Sequence, residues 1–397
     1  MSIRRAAPAI ALFFLSPLVA EFLLGDFTLA QLNFLILLAP AYGAAAVLIR
    51  EVTRRAGRGW PTMVLLALTY GLVEEGLETQ SLFNADYLHA HLLQHGFVPA
   101  LGISIPWTIF VLALHTIFSM SVPIALIEEW TPRRTEPWLR RPGFIVITVL
   151  AVLGAAATFA ISYADGHFMA SPAQLTITVA IAAALVVTAF RLPRAVPASA
   201  AVPASAAVPA SAAVPASAAL PASAALPASA ALPASAADGT LVSAGVSPAL
   251  GSPSVAVAGS AAGSVPAPWA VLVMALIDGA VLSAIDPLPA AVSVPVVVVA
   301  LAATLIVILR WSRRSGWDGR HRLALAAGGL LTYVWHSFTM RPVVPASDTL
   351  IVVSHAVFAL AAVLLLVFGA RRVEAREGRL WSSRPPRVAT LPDRAAA

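Results

Sequence analysis

Several ionisable side chains lie inside apolar stretches of the sequence, where they are the first candidates for chemistry. Glu74 and Glu75 are adjacent in the stretch 61–80, and His115 lies near the middle of 105–127. A charged group at the bilayer centre costs a few kcal/mol, so such residues are functional candidates by default. Adjacent carboxylates at low dielectric cannot both ionise cheaply, and at least one should hold a proton. The pattern predicts a general acid or base, or a proton carrier.

Further ionisable residues are predicted at similar depth, four of them on other helices and Glu78 on the same span as Glu74. Since a helix rises about 1.5 Å per residue, late positions in outward-running spans and early positions in inward-running spans lie in the same half of a membrane. These residues are Glu21, Glu78, Asp278, His336 and His355. Imidazoles bind transition metals, so His115, His336 and His355 are predicted ligands of a divalent metal such as zinc. The alternative for each is a hydrogen bond between helices.

The elements that must position these residues are predicted to be transmembrane helices. Hydrophobic residues make up 59% of the 397 positions and charged residues 11%, whereas soluble domains carry about 25% charged residues. The apolar blocks are about 17–25 residues long, enough to cross a hydrocarbon core of roughly 30 Å. The sequence therefore predicts an all-α, polytopic bundle of about ten spans whose main partner is the lipid bilayer. The predicted spans are 8–25, 29–49, 61–80, 105–127, 143–164, 172–190, 268–285, 290–310, 322–340 and 348–370.

The basic residues predict an orientation. All 25 of them are arginine, and they lie at the ends of apolar blocks, which indicates membrane topology and not binding to nucleic acid. With both termini in the cytoplasm, every arginine except Arg341 falls in a cytoplasmic segment, as the positive-inside rule requires. The prediction is a multi-pass protein of the plasma membrane. Arg50 and Glu51, at the first cytoplasmic loop, are interpreted as interface anchors or a local ion pair.

A low-complexity segment divides the predicted helices. Units of the type Val-Pro-Ala-Ser-Ala-Ala or Leu-Pro-Ala-Ser-Ala-Ala repeat from Val196 to Ala237. A proline at every sixth position prevents a stable helix, and almost no charge or large side chain is present to form a core. The sequence therefore predicts a six-helix part (1–190), a disordered cytoplasmic linker (191–267), a four-helix part (268–370) and a basic cytoplasmic tail (371–397). The absence of cysteine excludes disulfides and thiolate metal sites.

Two resemblances arise from short motifs. Ser16-Pro-Leu-Val-Ala-Glu21, Tyr70-Gly-Leu-Val-Glu-Glu-Gly76 and Gln80-Ser-Leu-Phe-Asn84 resemble an uncharacterised family of actinobacterial polytopic membrane proteins, and this resemblance implies no known activity. The second is to the CAAX-protease and bacteriocin-processing (CPBP) intramembrane proteases. That family has a Glu-Glu-x-x-x-Arg motif and a histidine on a following helix, which Glu74-Glu75 and His115 resemble. Thr79 stands where the motif has arginine.

Three classes of function are compatible with these residues. In a CPBP-like, metal-dependent intramembrane hydrolase, Glu74 or Glu75 would activate water, and His115 with His336 or His355 would bind a metal or stabilise an oxyanion. In a proton- or cation-coupled transporter, the same groups would form a relay to which Asp278 contributes. In a structural or sensing protein they would only hold helices together.

Overall fold

A computed structural model describes residues 3–193 and 265–382, which are almost entirely helical. The predicted linker lies mostly outside these residues, as does the tail beyond Ser382. The helices are α1 (Ile3–Pro17, continued by the π-helical segment Leu18–Leu23), α2 (Leu29–Arg55), α3 (Trp60–Val73, continued by Glu74–Glu78), α4 (Ile105–Trp130), α5 (Arg141–Gly166), α6 (Pro172–Arg191), α7 (Pro268–Ser283), α8 (Ala290–Trp311), α9 (Gly319–His336) and α10 (Asp348–Ser382). A short antiparallel hairpin, β1 (Phe97–Val98) and β2 (Ile103–Ser104), precedes α4.

The predicted all-α membrane fold is confirmed. In the part of the chain that the structure describes, seven helices are long and apolar enough to cross a bilayer, namely α1, α2, α4, α5, α6, α8 and α10. Helix α7 is apolar but shorter. The two remaining predicted spans correspond to α3 and α9, which carry charged residues near one end. Helix α10 continues to Ser382, beyond the predicted end of its span at 370.

Local sequence signals explain where several helices begin. Proline occupies the first turn of five of them, where its fixed φ suits the helix and its missing N–H is not needed. The Ser171 side chain accepts a hydrogen bond from the backbone N–H of Gln174, and the Gln174 side-chain oxygen accepts one from the backbone N–H of Ser171. The two bonds form a capping box at the start of α6. Ser104 caps α4 by accepting from the N–H of Trp107.

Helices from both sides of the predicted linker pack in one compact unit. Helix α9 lies against α7, α10 and α4, and α10 also contacts α1. The ring of Tyr333 on α9 stacks on Phe118 of α4 at 4.3 Å. In the first part, α1 approaches α2 so closely that a Cβ at Gly43 would lie 1.8 Å from the carbonyl oxygen of Phe13, so only glycine fits there.

A buried network of ion pairs closes one end of the bundle. The guanidinium of Arg50, fully buried, donates to Glu51 (2.8 Å), to Glu128 (3.1 Å) and to the carbonyl of Arg134 (2.8 Å). It also lies 3.5 Å from the ring centre of Trp138. The local pair predicted for Arg50 and Glu51 therefore exists, but it is part of a larger network and does not lie at a solvated interface.

The neighbouring carboxylate extends this network to the C-terminal helices. Glu129 on α4 accepts from Arg322 of α9 at 2.5 Å and from Arg376 of α10 at 2.6 Å. Arg134 pairs with the same carboxylate at 3.1 Å. Because its side chain is 3% exposed, these contacts fix α9 and α10 against α4 at this end.

Candidate active site

Four helices change to π-helical geometry at the same place in the bundle. The π segments are Leu18–Leu23 in α1, Ala39–Gly43 in α2, Glu74–Glu78 in α3 and Leu114–Ser121 in α4. In the described chain, each π segment carries a side chain of one cluster, namely Glu21, Tyr42, Glu74 with Glu75, and His115. π-Helical segments are rare in proteins, and those that occur are often found at functional sites. The extra residue in the turn moves a side chain out of the register of a regular α-helix.

His115 lies between the two adjacent carboxylates. Its Nε2 is 2.7 Å from Oε1 of Glu75, and its Nδ1 is 3.1 Å from Oε2 of Glu74. All three side chains are buried, and one ligand atom from each lies within 4.8 Å of the others. Gly71 of α3 allows this approach, since a Cβ there would lie 2.9 Å from Cβ of His115. The structure thus brings together the three residues that the sequence predicted as catalytic.

Glu75 is held firmly by neighbouring groups. Its Oε2 accepts hydrogen bonds from the hydroxyl of Thr79 at 3.0 Å and from the hydroxyl of Ser81. The indole N–H of Trp107 donates to Ser81 at 3.2 Å. Both oxygens of Glu75 are therefore engaged, one by His115 and the other by hydroxyls, which fixes the orientation of the carboxylate. Thr79, which stands in place of the arginine of the CPBP motif, acts here as a hydrogen-bond donor.

Glu74 is less well satisfied than Glu75. Its Oε2 is buried and has no hydrogen-bond partner, although it is 3.1 Å from Nδ1 of His115, because the alignment is poor. The hydroxyl of Tyr70 is also buried without a well-aligned hydrogen bond, although it interacts with the carboxylate of Glu74. A buried polar atom without a partner costs about 1–3 kcal/mol. Other buried polar atoms of the described residues also lack a partner, but these two lie beside a buried acid–imidazole cluster, which favours a site that binds something over a purely structural contact.

Two tyrosines enclose the His115 ring. Tyr42 stacks on it at 5.9 Å and Tyr70 meets it edge-on at 6.0 Å. Tyr42 also interacts with the carboxylates of Glu21 and Glu74, so it connects the site to α1. Glu21 in turn interacts electrostatically with His115.

The remaining predicted residues divide into two groups. Glu78 is 8% exposed and interacts electrostatically with Glu75, so it borders the site. Asp278 instead accepts a hydrogen bond from Thr304 at 2.5 Å, which joins α7 to α8. His336 lies beside Trp335, and His355 lies beside Phe338 and Gly25. The only metal-type cluster of the described residues contains His115 but neither of these histidines; their predicted role as ligands stays a prediction.

Comparison with known proteins adds one finding. Residues 10–194 match the model of a family described as an uncharacterized membrane protein family. This match confirms the resemblance to an uncharacterised polytopic family, and it covers α1–α6 with Glu21, Glu74, Glu75 and His115. No curated protein and no solved structure matches the chain. The chain is a multi-pass membrane protein, and its resemblance to the CPBP proteases stays a hypothesis.

Sequence reasoning missed Tyr42, Ser81 and Trp107, which lie around the three central residues. Tyr42 lies in an apolar span, where a polar aromatic residue is a recognisable signal. Ser81 and Trp107 carried no such signal, because they lie at helix ends where polar groups are common. The π segments also have no simple sequence pattern.

Proposed function

We propose that the protein is an intramembrane hydrolase in which Glu74, Glu75 and His115 hold a divalent metal ion. The observation that carries the proposal is the buried arrangement of His115 between the two carboxylates, with all three ligand atoms within 4.8 Å of one another. The π segments and the unsatisfied Glu74 oxygen support a functional site over a helix-packing contact.

The three side chains fit a catalytic metal site. Carboxylate oxygens and an imidazole nitrogen are ligands of zinc and related divalent ions, and three protein ligands leave a position open for water or substrate. Two ionised carboxylates would also be neutralised by a divalent cation, which removes the cost of burying them. When bound, such an ion supplies Lewis-acid polarisation of a carbonyl and acidification of a water molecule.

The protein groups would then have separate roles in hydrolysis. Glu75, whose carboxylate is oriented by His115, Thr79 and Ser81, would hold the ion in place. Glu74 would hold the ion through one carboxylate oxygen, and its other oxygen is the candidate general base. It would take a proton from water as the hydroxide adds to the carbonyl carbon, and would return that proton to the leaving group as the scissile bond breaks. This reading agrees with the CPBP resemblance, in which the paired glutamates are the central motif.

A proton- or cation-coupled carrier is the second candidate. Both ring nitrogens of His115 face carboxylates, and Tyr42 continues the polar contacts to Glu21 on α1. A chain of protonatable groups through several helices is what a proton relay needs. The carrier and the hydrolase make opposite predictions about a tightly bound metal.

Metal content distinguishes these functions. We expect one equivalent of a divalent transition metal in the purified protein, and its loss in Glu75→Gln and in His115→Ala, because each change removes a ligand. The measurement is elemental mass spectrometry on protein in detergent after gel filtration. His355→Ala is the matched control: it removes a buried imidazole outside the cluster and should leave the metal in place. An absence of metal in the wild type, after loading with zinc or manganese, would exclude the metallo-hydrolase and favour the relay or a structural network.

We further propose that the protein resides in the plasma membrane with both termini in the cytoplasm. The support is the arginine distribution, in which only Arg341 falls on the external side. In this orientation the ion-pair network of Arg50 faces the cytoplasm and the hairpin before α4 faces outward.

Cysteine labelling tests this orientation, since the chain contains no cysteine of its own. Ala100→Cys, at an exposed position before α4, should react with a membrane-impermeant maleimide in intact cells. Thr135→Cys, exposed between α4 and α5, should react only after permeabilisation. The reverse labelling pattern would invert the topology.

A further inference from the structure

A cavity of about 400 Å³ lies between α2, α3, α5 and α6, next to the Glu/His cluster. This is within the usual size range of ligand pockets, roughly 300–1,000 Å³. Its walls are almost wholly apolar and come from the following residues: Ala41, Ala45, Leu48, Ile49 and Val52 of α2; Leu66, Thr69, Tyr70, Val73 and Glu78 of α3; Ala151, Val152 and Ala155 of α5; and Val186 and Phe190 of α6.

The cavity opens toward the lipid. Val152 lines it and is 64% exposed, so the cavity is continuous with the outer surface of α5. Helices α5 and α6 flank the opening, and only 11% and 17% of their apolar windows are buried in the protein. Apolar faces of this kind on membrane helices are covered by lipid chains. A molecule can therefore reach the cavity from within the bilayer without crossing water.

Two polar side chains of α3, Tyr70 and Glu78, line the cavity about two helical turns apart. The Tyr70 hydroxyl is buried and interacts with Glu74 without a well-aligned hydrogen bond, and no described side chain hydrogen-bonds to the carboxylate of Glu78, which is 8% exposed. Thr69 is already satisfied, because its hydroxyl donates to the carbonyl of Leu65 at 2.8 Å. Within a membrane, polar groups without partners are costly, so a ligand that supplies a hydrogen-bond donor there would be stabilised.

The shape and charge of the cavity define its ligand. From Leu66 to Glu78 the α3 wall runs about 18 Å at 1.5 Å per residue, parallel to the helix axis, which suits an extended hydrocarbon chain. Glu74, Glu75 and Glu78 all belong to the last segment of α3, and their carboxylates would repel an anionic head group at that end of the cavity. We propose that the cavity binds the hydrocarbon chain of a membrane amphiphile whose head is a hydroxyl or amine, placed against Glu78. The assignment of this amphiphile as the substrate rests on the proposed hydrolase function. The proposal that it binds in the cavity does not depend on that function.

Photo-crosslinking in lipid nanodiscs tests this proposal. The probes are a long-chain amine, a long-chain alcohol and a fatty acid of equal length, each with a diazirine in the chain. We expect the amine and alcohol to label peptides of α3 and α5 in the wild type and the fatty acid to label them weakly. Ala155→Trp fills the cavity and should reduce labelling by the amine about tenfold or more, a difference of about 1.4 kcal/mol in binding.

Two variants and a control make the test decisive. Ala156→Trp places the same side chain on the same helix at an exposed position outside the cavity, and should label like the wild type. Glu78→Gln should reduce the preference for the amine over the fatty acid by roughly tenfold, because it removes the repelling charge. Equal labelling of Ala155→Trp and Ala156→Trp, or fatty-acid labelling as strong as that by the amine, would overturn the proposal. Glu75→Gln should lose the metal but still be labelled. A wild-type protein that is labelled but binds no metal would overturn the hydrolase alone.

Discussion

Replacing Arg50 by methionine should lower the free energy of unfolding by about 3–5 kcal/mol, because it leaves buried carboxylates without their cation. Arg50 is fully buried and serves Glu51, Glu128 and the Arg134 carbonyl together. It also stacks on Trp138. Methionine would fill much of the space but satisfy none of these acceptors. The measurement is unfolding by SDS in mixed micelles, followed by tryptophan fluorescence.

Arg133→Met provides the matched control for this prediction. Arg133 is an exposed arginine near the same network, and its side chain forms no ion pair with a described residue. Exposed charges contribute about 0–1 kcal/mol, so the control should unfold close to the wild type. A loss below about 1 kcal/mol for Arg50→Met would show that the buried network adds little to stability, and the interface-anchor interpretation of Arg50 would return.

The helices could be predicted from the sequence because each is an apolar block of membrane-spanning length. The predicted span 105–127 falls on Ile105–Trp130, and 172–190 falls on Pro172–Arg191. The π segments inside these blocks could not be predicted, since a π turn arises where tertiary contacts favour an extra residue. The end of α10 was also missed: hydropathy ends near 370, but the helix continues through Arg376, which pairs with Glu129.

The candidate site was only partly predictable for a geometric reason. Hydropathy gives the depth of a polar residue in the membrane, but it does not give the direction in which the residue faces. His115 and His355 were predicted at related depths, yet His115 meets Glu75 whereas His355 faces Gly25. Which helix neighbours which is decided by close approaches such as that at Gly71, and these depend on the whole packing arrangement.

The two ends of the bundle bury charge in different ways. At the Arg50 end, buried carboxylates are matched by guanidinium groups with good hydrogen-bond geometry. At the Glu/His site, Glu74, Glu75, Glu78 and Glu21 lie around one imidazole, and a Glu74 oxygen and the Tyr70 hydroxyl make no well-aligned hydrogen bond. Functional sites are often less stable than the rest of a protein, because the interaction that is missing in the free protein is made when a ligand binds.

Glu74→Gln should therefore have two effects of opposite sign. It should weaken metal binding by at least about 100-fold, since loss of a direct ligand costs more than loss of an outer-shell partner. In metal-free protein it should raise the free energy of unfolding by about 1–3 kcal/mol, because a buried, unsatisfied carboxylate becomes a neutral amide beside Glu75. Metal titration and SDS unfolding in chelator measure the two effects on the same sample.

The same substitution at Glu128 should change stability in the other direction. Glu128 is also buried on a membrane helix, but it binds Arg50 and Arg54 at 2.6–3.1 Å. Glu128→Gln would remove the charge that these two arginines need and should destabilise the protein. If Glu74→Gln destabilised metal-free protein as much as Glu128→Gln, Glu74 would be a structural partner of His115, and the general-base role would have to be abandoned. If the two substitutions instead change the free energy of unfolding in opposite directions, Glu128 is a charge that stabilises the bundle, and Glu74 is a charge that serves to bind a ligand.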